Sequence, residues 1–213
     1  MTLLSLGEFA PPDARRVVVS GAMQTPGTGS GEEWAETPEL LRFLMPSPIG
    51  TIGMELVGGK VTRVLVNPKR GQRKGFVSFA ELDGSDFCDE LFGRLSEYFA
   101  GARTNLRLAP DFGASGVGGF ARRVLKEAAK IPYGRTRTYG DLALAAGRPD
   151  AYRMVLAALM ENPMPIVIPC HRVVTNKSGI GSWIGGKEKK RWLLTMERET
   201  LKRRARGTDP EEV

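Results

Sequence analysis

The chain has 213 residues, enough for one or two domains, and its hydrophobic (41%) and charged (26%) contents are ordinary for a soluble globular protein. No apolar run approaches the ~20 residues of a membrane span, and the start, Met1-Thr2-Leu3-Leu4-Ser5-Leu6-Gly7-Glu8, lacks the basic segment of a signal peptide and meets an acid early. A net charge of +7 suits a polyanionic partner, nucleic acid first, while two cysteines in unlike settings, Cys88 and Cys170, give no disulfide framework and point to a reducing cytosol.

Residues 1–40 read as a loosely organised extension. Pro11-Pro12 and the run Gln24-Thr25-Pro26-Gly27-Thr28-Gly29-Ser30-Gly31 have turn and linker compositions, and Arg16-Val17-Val18-Val19 is a candidate short strand. Ser47-Pro48-Ile49-Gly50 makes a turn. Residues 51–57 and 61–66 are β-rich runs around Gly58-Gly59, which predicts a hairpin. Residues 90–100 predict a helix with Leu91, Leu95, Tyr98 and Phe99 on one stripe and Gly101 as its stop. Cys88, with no histidine nearby, is read as packing. The Gly-rich segment 113–119 places a boundary between a small α/β domain (41–115) and a second domain (116–202). It lacks the Lys-Ser/Thr ending of a phosphate loop.

The second domain begins with a predicted helix over 120–130, with Phe120, Val124, Leu125 and Ala128 inward, ended by Ile131-Pro132-Tyr133-Gly134. Thr138 and Asp141 have capping-box spacing, so a short helix is predicted over 139–146. Gly147 and Pro149 break it, and a second helix follows over 150–161. Two short helices across a tight turn read as a helix-turn-helix or as an ordinary αα-hairpin. Asn176-Lys177-Ser178-Gly179 is a turn and 181–186 a Gly-flanked loop around Trp183. A last helix over 189–203 carries Trp192, Leu193, Met196 and Thr200 inward. Bases cluster at Lys187, Lys189, Lys190 and Arg191 and again at Lys202-Arg203-Arg204-Ala205-Arg206; the stretch 203–213 reads as a tail.

The chemistry concentrates in Ile166-Val167-Ile168-Pro169-Cys170-His171-Arg172-Val173-Val174. His171 is the only histidine of the chain, and one of its two cysteines sits directly before it. A thiol becomes nucleophilic as its thiolate, and imidazole is the side chain suited to taking that proton near neutral pH. Residues 166–168 read as a short buried strand. If the extended backbone continues, Cys170 and His171 point to opposite sides and a water bridges them. Alternatively Cys170 is a small buried hydrophobe and His171 a structural histidine. Glu197 is either a solvated helix carboxylate or the group that orients His171.

Residues 120–199 resemble the DNA-binding and active-site domain of the O6-alkylguanine-DNA alkyltransferases. The resemblance rests on Ile131-Pro132-Tyr133-Gly134, Thr138-Tyr139-Gly140-Asp141-Leu142-Ala143, Asn162-Pro163, Ile168-Pro169-Cys170-His171-Arg172-Val173, Gly185-Gly186, and Lys190 followed by Leu193-Leu194 and Glu197. It extends more faintly over 46–112. It implies a ribonuclease H-like α/β domain, with a small antiparallel sheet and a helix, and a mainly α, winged-helix-like domain with a helix-turn-helix. It also implies repair of O6-alkylguanine in double-stranded DNA by irreversible, single-turnover transfer to Cys170. In that scheme His171 acts as base through a water, Glu197 holds the imidazole, Tyr139 donates to the departing guanine and Asn162 braces the turn. The carbonyls of Cys170 and Val173 take the guanine amine, Trp183 and Ile184 belong to the pocket loop, Arg153 fills the gap left by the extruded nucleotide, and Tyr152 and Ala157 face DNA. No cofactor, metal or membrane is implied, and a cytoplasmic monomer is expected.

Three departures from the family pattern stand out. Trp183 replaces a usual tyrosine in a loop one residue shorter than usual. Leu125 replaces a usual tryptophan. Leu156 replaces a common glycine on the groove-facing helix, beside bulky Tyr152 and Met154, where it either obstructs close approach to DNA or joins a core stripe with Tyr152 and Leu159. The alternatives to transfer are a lesion-binding protein of the same fold, and a helix-turn-helix regulator with an inert cysteine.

Overall fold

The computed structural model describes residues 40–79, 82, 86–175 and 179–207, apart from the side chains of Asp86 and Cys88. The expected strand at 16–19, most of the turn at 176–179, the packing of Cys88 and the end of the tail lie outside the described residues.

Strands β1 (Leu40–Met45), β2 (Ile52–Val57), β3 (Lys60–Val66) and β4 (Val77–Ser78) form a sheet in the order β3-β2-β1-β4. The hairpin forms where Gly58-Gly59 predicts it. Both glycines have positive φ, the conformation a two-residue β-turn of this hand requires. β1 is an addition to the sequence reading, although Leu41, Phe43 and Met45 alternate inward as a half-buried strand should. The expectation of an antiparallel sheet needs correction. β1 and β2 pair antiparallel, as do β2 and β3, but β4 runs parallel to β1, which makes the sheet mixed. After β3 the chain crosses to the opposite edge, through a 3-10 turn at Arg70–Arg73, before it pairs again.

Helix α1 (Asp86–Ala100) buries Leu91, Leu95, Tyr98 and Phe99, the predicted stripe. Phe79 connects it to the sheet, edge-on to Phe43 and stacked on Phe92 with centroids 4.6 Å apart. The helical part follows with α2 (Gly119–Ala129), a two-residue strand β5 (Arg137–Thr138), α3 (Tyr139–Ala145), α4 (Tyr152–Met160), β6 (Val173–Val174) and α5 (Lys187–Ala205). The capping box is present: Asp141 N–H donates to Thr138 Oγ1 at 3.1 Å and Thr138 N–H to Asp141 Oδ2 at 2.8 Å. β5 and β6 pair in parallel, Arg137 with Val173 and Thr138 with Val174. This ribbon ties the start of α3 to the chain just after Cys170-His171-Arg172.

The strand expected at 166–168 does not form. Pro163, Pro165 and Pro169 remove three ladder donors from this stretch, and the chain turns tightly instead, with Ile166 at φ +78°. Ile168 N–H bonds Met164 O at 2.8 Å, Cys170 N–H bonds Ile168 O at 2.7 Å, and Cys170–Arg172 is a 3-10 turn. The opposite-sides argument, which needed extended backbone, therefore fails as reasoned.

The two parts of the chain share a core. Val64 N–H donates to Pro163 O at 2.7 Å, and the rings of Tyr98 and Tyr133 meet edge to face at 5.8 Å. No helix among the described residues is long and apolar enough to cross a membrane.

Candidate active site

Cys170 is 2% exposed, at the start of the 3-10 turn. Its sulfur accepts two N–H bonds, from Asn162 Nδ2 at 3.0 Å and from Trp183 Nε1 at 3.1 Å. Asn162 lies just past the Glu161 cap of α4 and is itself fixed. Its second Nδ2 bond goes to Ile168 O at 3.0 Å, and its Oδ1 accepts from Met164 N–H at 3.0 Å. One carboxamide thus holds the 162–170 turn and the sulfur together. Burial holds the Cys170 thiol above its ordinary range, and the Asn162 and Trp183 donors and the charge of Lys190 offset only part of that rise.

His171 is fully buried. Its Nε2 lies 2.9 Å from Glu197 Oε1, and its Nδ1 has no hydrogen-bond partner. Neither ring nitrogen bonds the Cys170 sulfur. Burial lowers the imidazole's affinity for a proton, and Glu197 opposes that shift. Glu197 is not a solvated helix carboxylate: it is fully buried and collects donors from four directions. Oε1 receives Tyr98 Oη at 2.7 Å and Arg172 Nη2 at 2.8 Å beside His171. Oε2 receives Arg172 Nε at 3.0 Å and Gly134 N–H at 2.8 Å. Burial alone would raise its carboxyl, but the His171 and Arg172 contacts outweigh that and hold it at about 2.

Three members of this site escape a reading by sequence. Arg172 neighbours the Cys-His pair; it binds Glu197 in a fork and donates through Nη1 to Ile131 O at 2.7 Å. Its position in the string is the only sign of its role. Tyr98 reads as one more stripe residue of a core helix, and nothing local marks its hydroxyl. Lys190 sits within a basic cluster, yet it is fully buried and donates to Val173 O at 2.5 Å and Ser182 O at 3.1 Å. Burial lowers its ammonium to about 8.

Tyr139 lies at the first turn of α3, buried, with its hydroxyl donating to Ser182 O at 3.4 Å and its ring edge-on to Tyr152. Burial raises its phenol, so it remains a proton donor at neutral pH. The Val173 carbonyl, expected to face guanine, already accepts from Lys190. Trp183 is buried over Cys170 and Ile184 is exposed. A cleft of about 430 Å³ lies beside them, lined by Met160, Gly181, Ser182, Trp183 and Lys187. On α4, Val155, Ala158 and Leu159 face inward, Leu156 is half-buried, and Tyr152, Arg153, Met154 and Ala157 face solvent. Leu156 and Leu159 therefore pack toward the core, whereas Tyr152 does not join their stripe.

A buried sulfur between two N–H donors, near an imidazole pinned by a carboxylate, is the arrangement of a thiol-nucleophile protein. Residues 119–199 match the family model described as the 6-O-methylguanine DNA methyltransferase DNA-binding domain. The methylated-DNA–protein-cysteine methyltransferase of Methanosarcina barkeri is 33% identical over 161 residues, covering 75% of this chain and 98% of that protein. Its Methanosarcina acetivorans counterpart is 35% identical over 156 residues, 72% of this chain and 96% of that one. Among solved structures, Mycobacterium tuberculosis OGT in complex with DNA superposes with a TM-score of 0.65 at 30% identity, covering 75% of this chain and 93% of that one. The chain belongs to the methylated-DNA–protein-cysteine methyltransferase family.

Proposed function

We propose that the protein repairs DNA by moving an alkyl group from O6-alkylguanine to the sulfur of Cys170, once per molecule. The observation that carries this reading is the twofold N–H coordination of a buried Cys170 sulfur next to the His171–Glu197 pair, in a chain of this family.

The chemistry follows from these groups. The free Nδ1 of His171 takes the thiol proton through a bridging water, and Glu197, kept anionic by Arg172, holds the ring through Nε2. The thiolate then attacks the alkyl carbon. A sulfur–carbon bond forms, the carbon–O6 bond breaks, and its electron pair leaves with the purine. Tyr139 protonates the purine at N3, which makes it a better leaving group. The thioether has no route back to a thiol, so turnover stops at one.

The sulfur is too deeply buried for a base that remains stacked in a duplex, which favours base extrusion with Arg153 of α4 entering the gap. The solvent-facing Tyr152, Arg153 and Ala157 form the contact helix, and α3 with α4 forms the helix-turn-helix of a winged-helix-like domain at 116–202. Residues 41–115 then form the ribonuclease H-like domain, which supplies Tyr98 to the site. A monomer in the cytoplasm, bound to double-stranded DNA, is the setting this reading requires.

Intact-mass and peptide mass measurements after incubation with a duplex carrying O6-methylguanine test it. One methyl on the Cys170 peptide and no uptake by Cys170→Ala are expected. Catalytic turnover, or repair by Cys170→Ala, would reject the assignment.

A further inference from the structure

Trp183 stands where the family usually has tyrosine, and the structure gives the indole a contact of its own. Its Nε1 lies 3.1 Å from the Cys170 sulfur, matching the 3.0 Å contact from Asn162 on the same atom. An indole N–H can only donate, so the bond requires sulfur lone pairs and strengthens when the sulfur carries charge.

The loop around Trp183 is shaped for this placement. A Cβ added at Gly185 would come within 2.1 Å of indole Cζ3, and Gly185 does not have positive φ, so glycine here provides room rather than a turn. Gly186 supplies the turn, at φ +93°, and its N–H closes on Trp183 O at 2.9 Å. The indole is thereby laid between the cleft and the sulfur, edge-on to His171 with centroids 6.2 Å apart.

We propose that Trp183 is a second fixed N–H donor to the Cys170 thiolate and sets, with Asn162, the pH range over which the nucleophile is active. The inference rests on Cys170 being the nucleophile. The other groups that act on this sulfur are Lys190 of α5, whose charge favours the thiolate, and Tyr139 of α3, whose ionised form would oppose it. His171 follows in the same turn, with Glu197 and Arg172 behind it. None of them donates a hydrogen bond to the sulfur, so loss of the indole N–H leaves Asn162 as the one side-chain donor among the described residues.

The test is the pH dependence of Cys170 alkylation by iodoacetamide, read on the Cys170 peptide, in the wild type, Trp183→Phe and Gly185→Ala. Phenylalanine keeps an apolar ring without the N–H, and alanine at 185 forces the indole off its seat. Each variant is expected to move the midpoint upward by about one pH unit, the worth of one hydrogen bond to a charged atom. Loosened packing alone would admit water to the sulfur, raise the plateau rate and move the midpoint down, the opposite direction, because burial holds the thiol up. In the wild type, the Trp183 indole N–H resonance should titrate with the same midpoint as alkylation, a measurement that does not depend on either variant folding. An unmoved or lowered midpoint in the variants, or an indole resonance indifferent to thiol ionisation, overturns the proposal. The two readings fail separately. An unmoved midpoint with normal methyl uptake from DNA removes only the donor role, whereas a shifted midpoint in a protein that takes no methyl removes only the transfer reading.

Discussion

The Tyr98 hydroxyl donates to Glu197 Oε1 at 2.7 Å, joining two residues 99 positions apart. Tyr98 belongs to α1, which packs on the sheet, and Glu197 to the last helix, so the carboxylate bonded to His171 is held from the far part of the molecule. Burial and the neighbouring carboxylate keep the phenol well above its ordinary range, so it remains a donor. Tyr98→Phe is expected to cost about 1–2 kcal/mol of stability, as one buried acceptor loses a donor. It should also slow alkyl transfer without abolishing it, because Arg172 and the Gly134 amide still hold Glu197. Urea unfolding and single-turnover transfer rates measure the two effects. A variant as stable and as fast as the wild type would remove Tyr98 from the site.

Stability should fall on acidification in two overlapping stages. The folded His171 binds protons less readily than an exposed imidazole, so the unfolded chain takes up more protons once pH drops below ~6.5, and stability declines. Glu197 is held at about 2 in the fold. It contributes stability that is full above its unfolded value of ~4.3 and is lost as pH falls toward 2, roughly 3 kcal/mol in all. Urea midpoints from pH 7 to pH 3 give the profile. Glu197→Gln should be less stable at neutrality and show a shallower fall below pH 4.5. An equally steep acid limb in that variant would show that other carboxylates carry it.

Arg172 is expected to be the least replaceable cation of the chain. It forks onto Glu197 and reaches Ile131 O with its remaining arm, and its guanidinium lies over the Tyr133 ring at 5.6 Å. A lysine ammonium cannot reproduce that planar fork. Arg172→Lys should therefore destabilise by about 3–5 kcal/mol, the usual cost of breaking a buried pair, despite conserving charge. Denaturant unfolding decides it, and a loss below 1 kcal/mol would mean that lysine finds equivalent partners.

Arg153 and Tyr139 should fail differently when replaced. Arg153 faces solvent on α4, whereas Tyr139 is buried beside the pocket loop. Arg153→Ala should slow repair of duplex DNA and react almost normally with free O6-benzylguanine, which needs no extrusion. Tyr139→Phe should slow both reactions, since both expel a purine that needs a proton. The pair of second-order rates for each variant is the measurement. Equal losses on both substrates for Arg153→Ala count against the gap-filling role, and an unchanged free-base rate for Tyr139→Phe counts against the donor.

Wherever local chemistry decides structure, the sequence was readable. The Gly58-Gly59 hairpin, the Thr138–Asp141 capping box and the apolar stripe of α1 all form as their residues dictate. Cys170 and His171 stand out by rarity alone. The apolar residues 166–168 read as a strand, but the prolines around them and the Asn162 bonds force a fold-back. The partners of Glu197 could not be seen either. The innermost face of α5 is Lys190, Leu193, Glu197 and Thr200, three of them polar, so the sequence pattern finds Leu193 and Thr200 but adds Trp192 and Met196, which are only half-buried, and passes over Lys190 and Glu197. Burial of these polar groups is decided by partners far away in the chain, which no local pattern carries.

The parallel β5–β6 ribbon and the seating of Glu197 on Tyr98 have a bearing on the birth of the protein at the ribosome. Synthesis proceeds from the N-terminus, and early parts of a chain can fold before later ones emerge. The sheet and α1 can assemble early, but the ribbon partner at Val173–Val174 and the carboxylate on α5 are made late. Until α5 docks, His171 lacks the Glu197 carboxylate and the Val173 carbonyl lacks the Lys190 ammonium. The surroundings of Cys170 are therefore completed only in the finished molecule, after Trp183 and then α5 have left the ribosome.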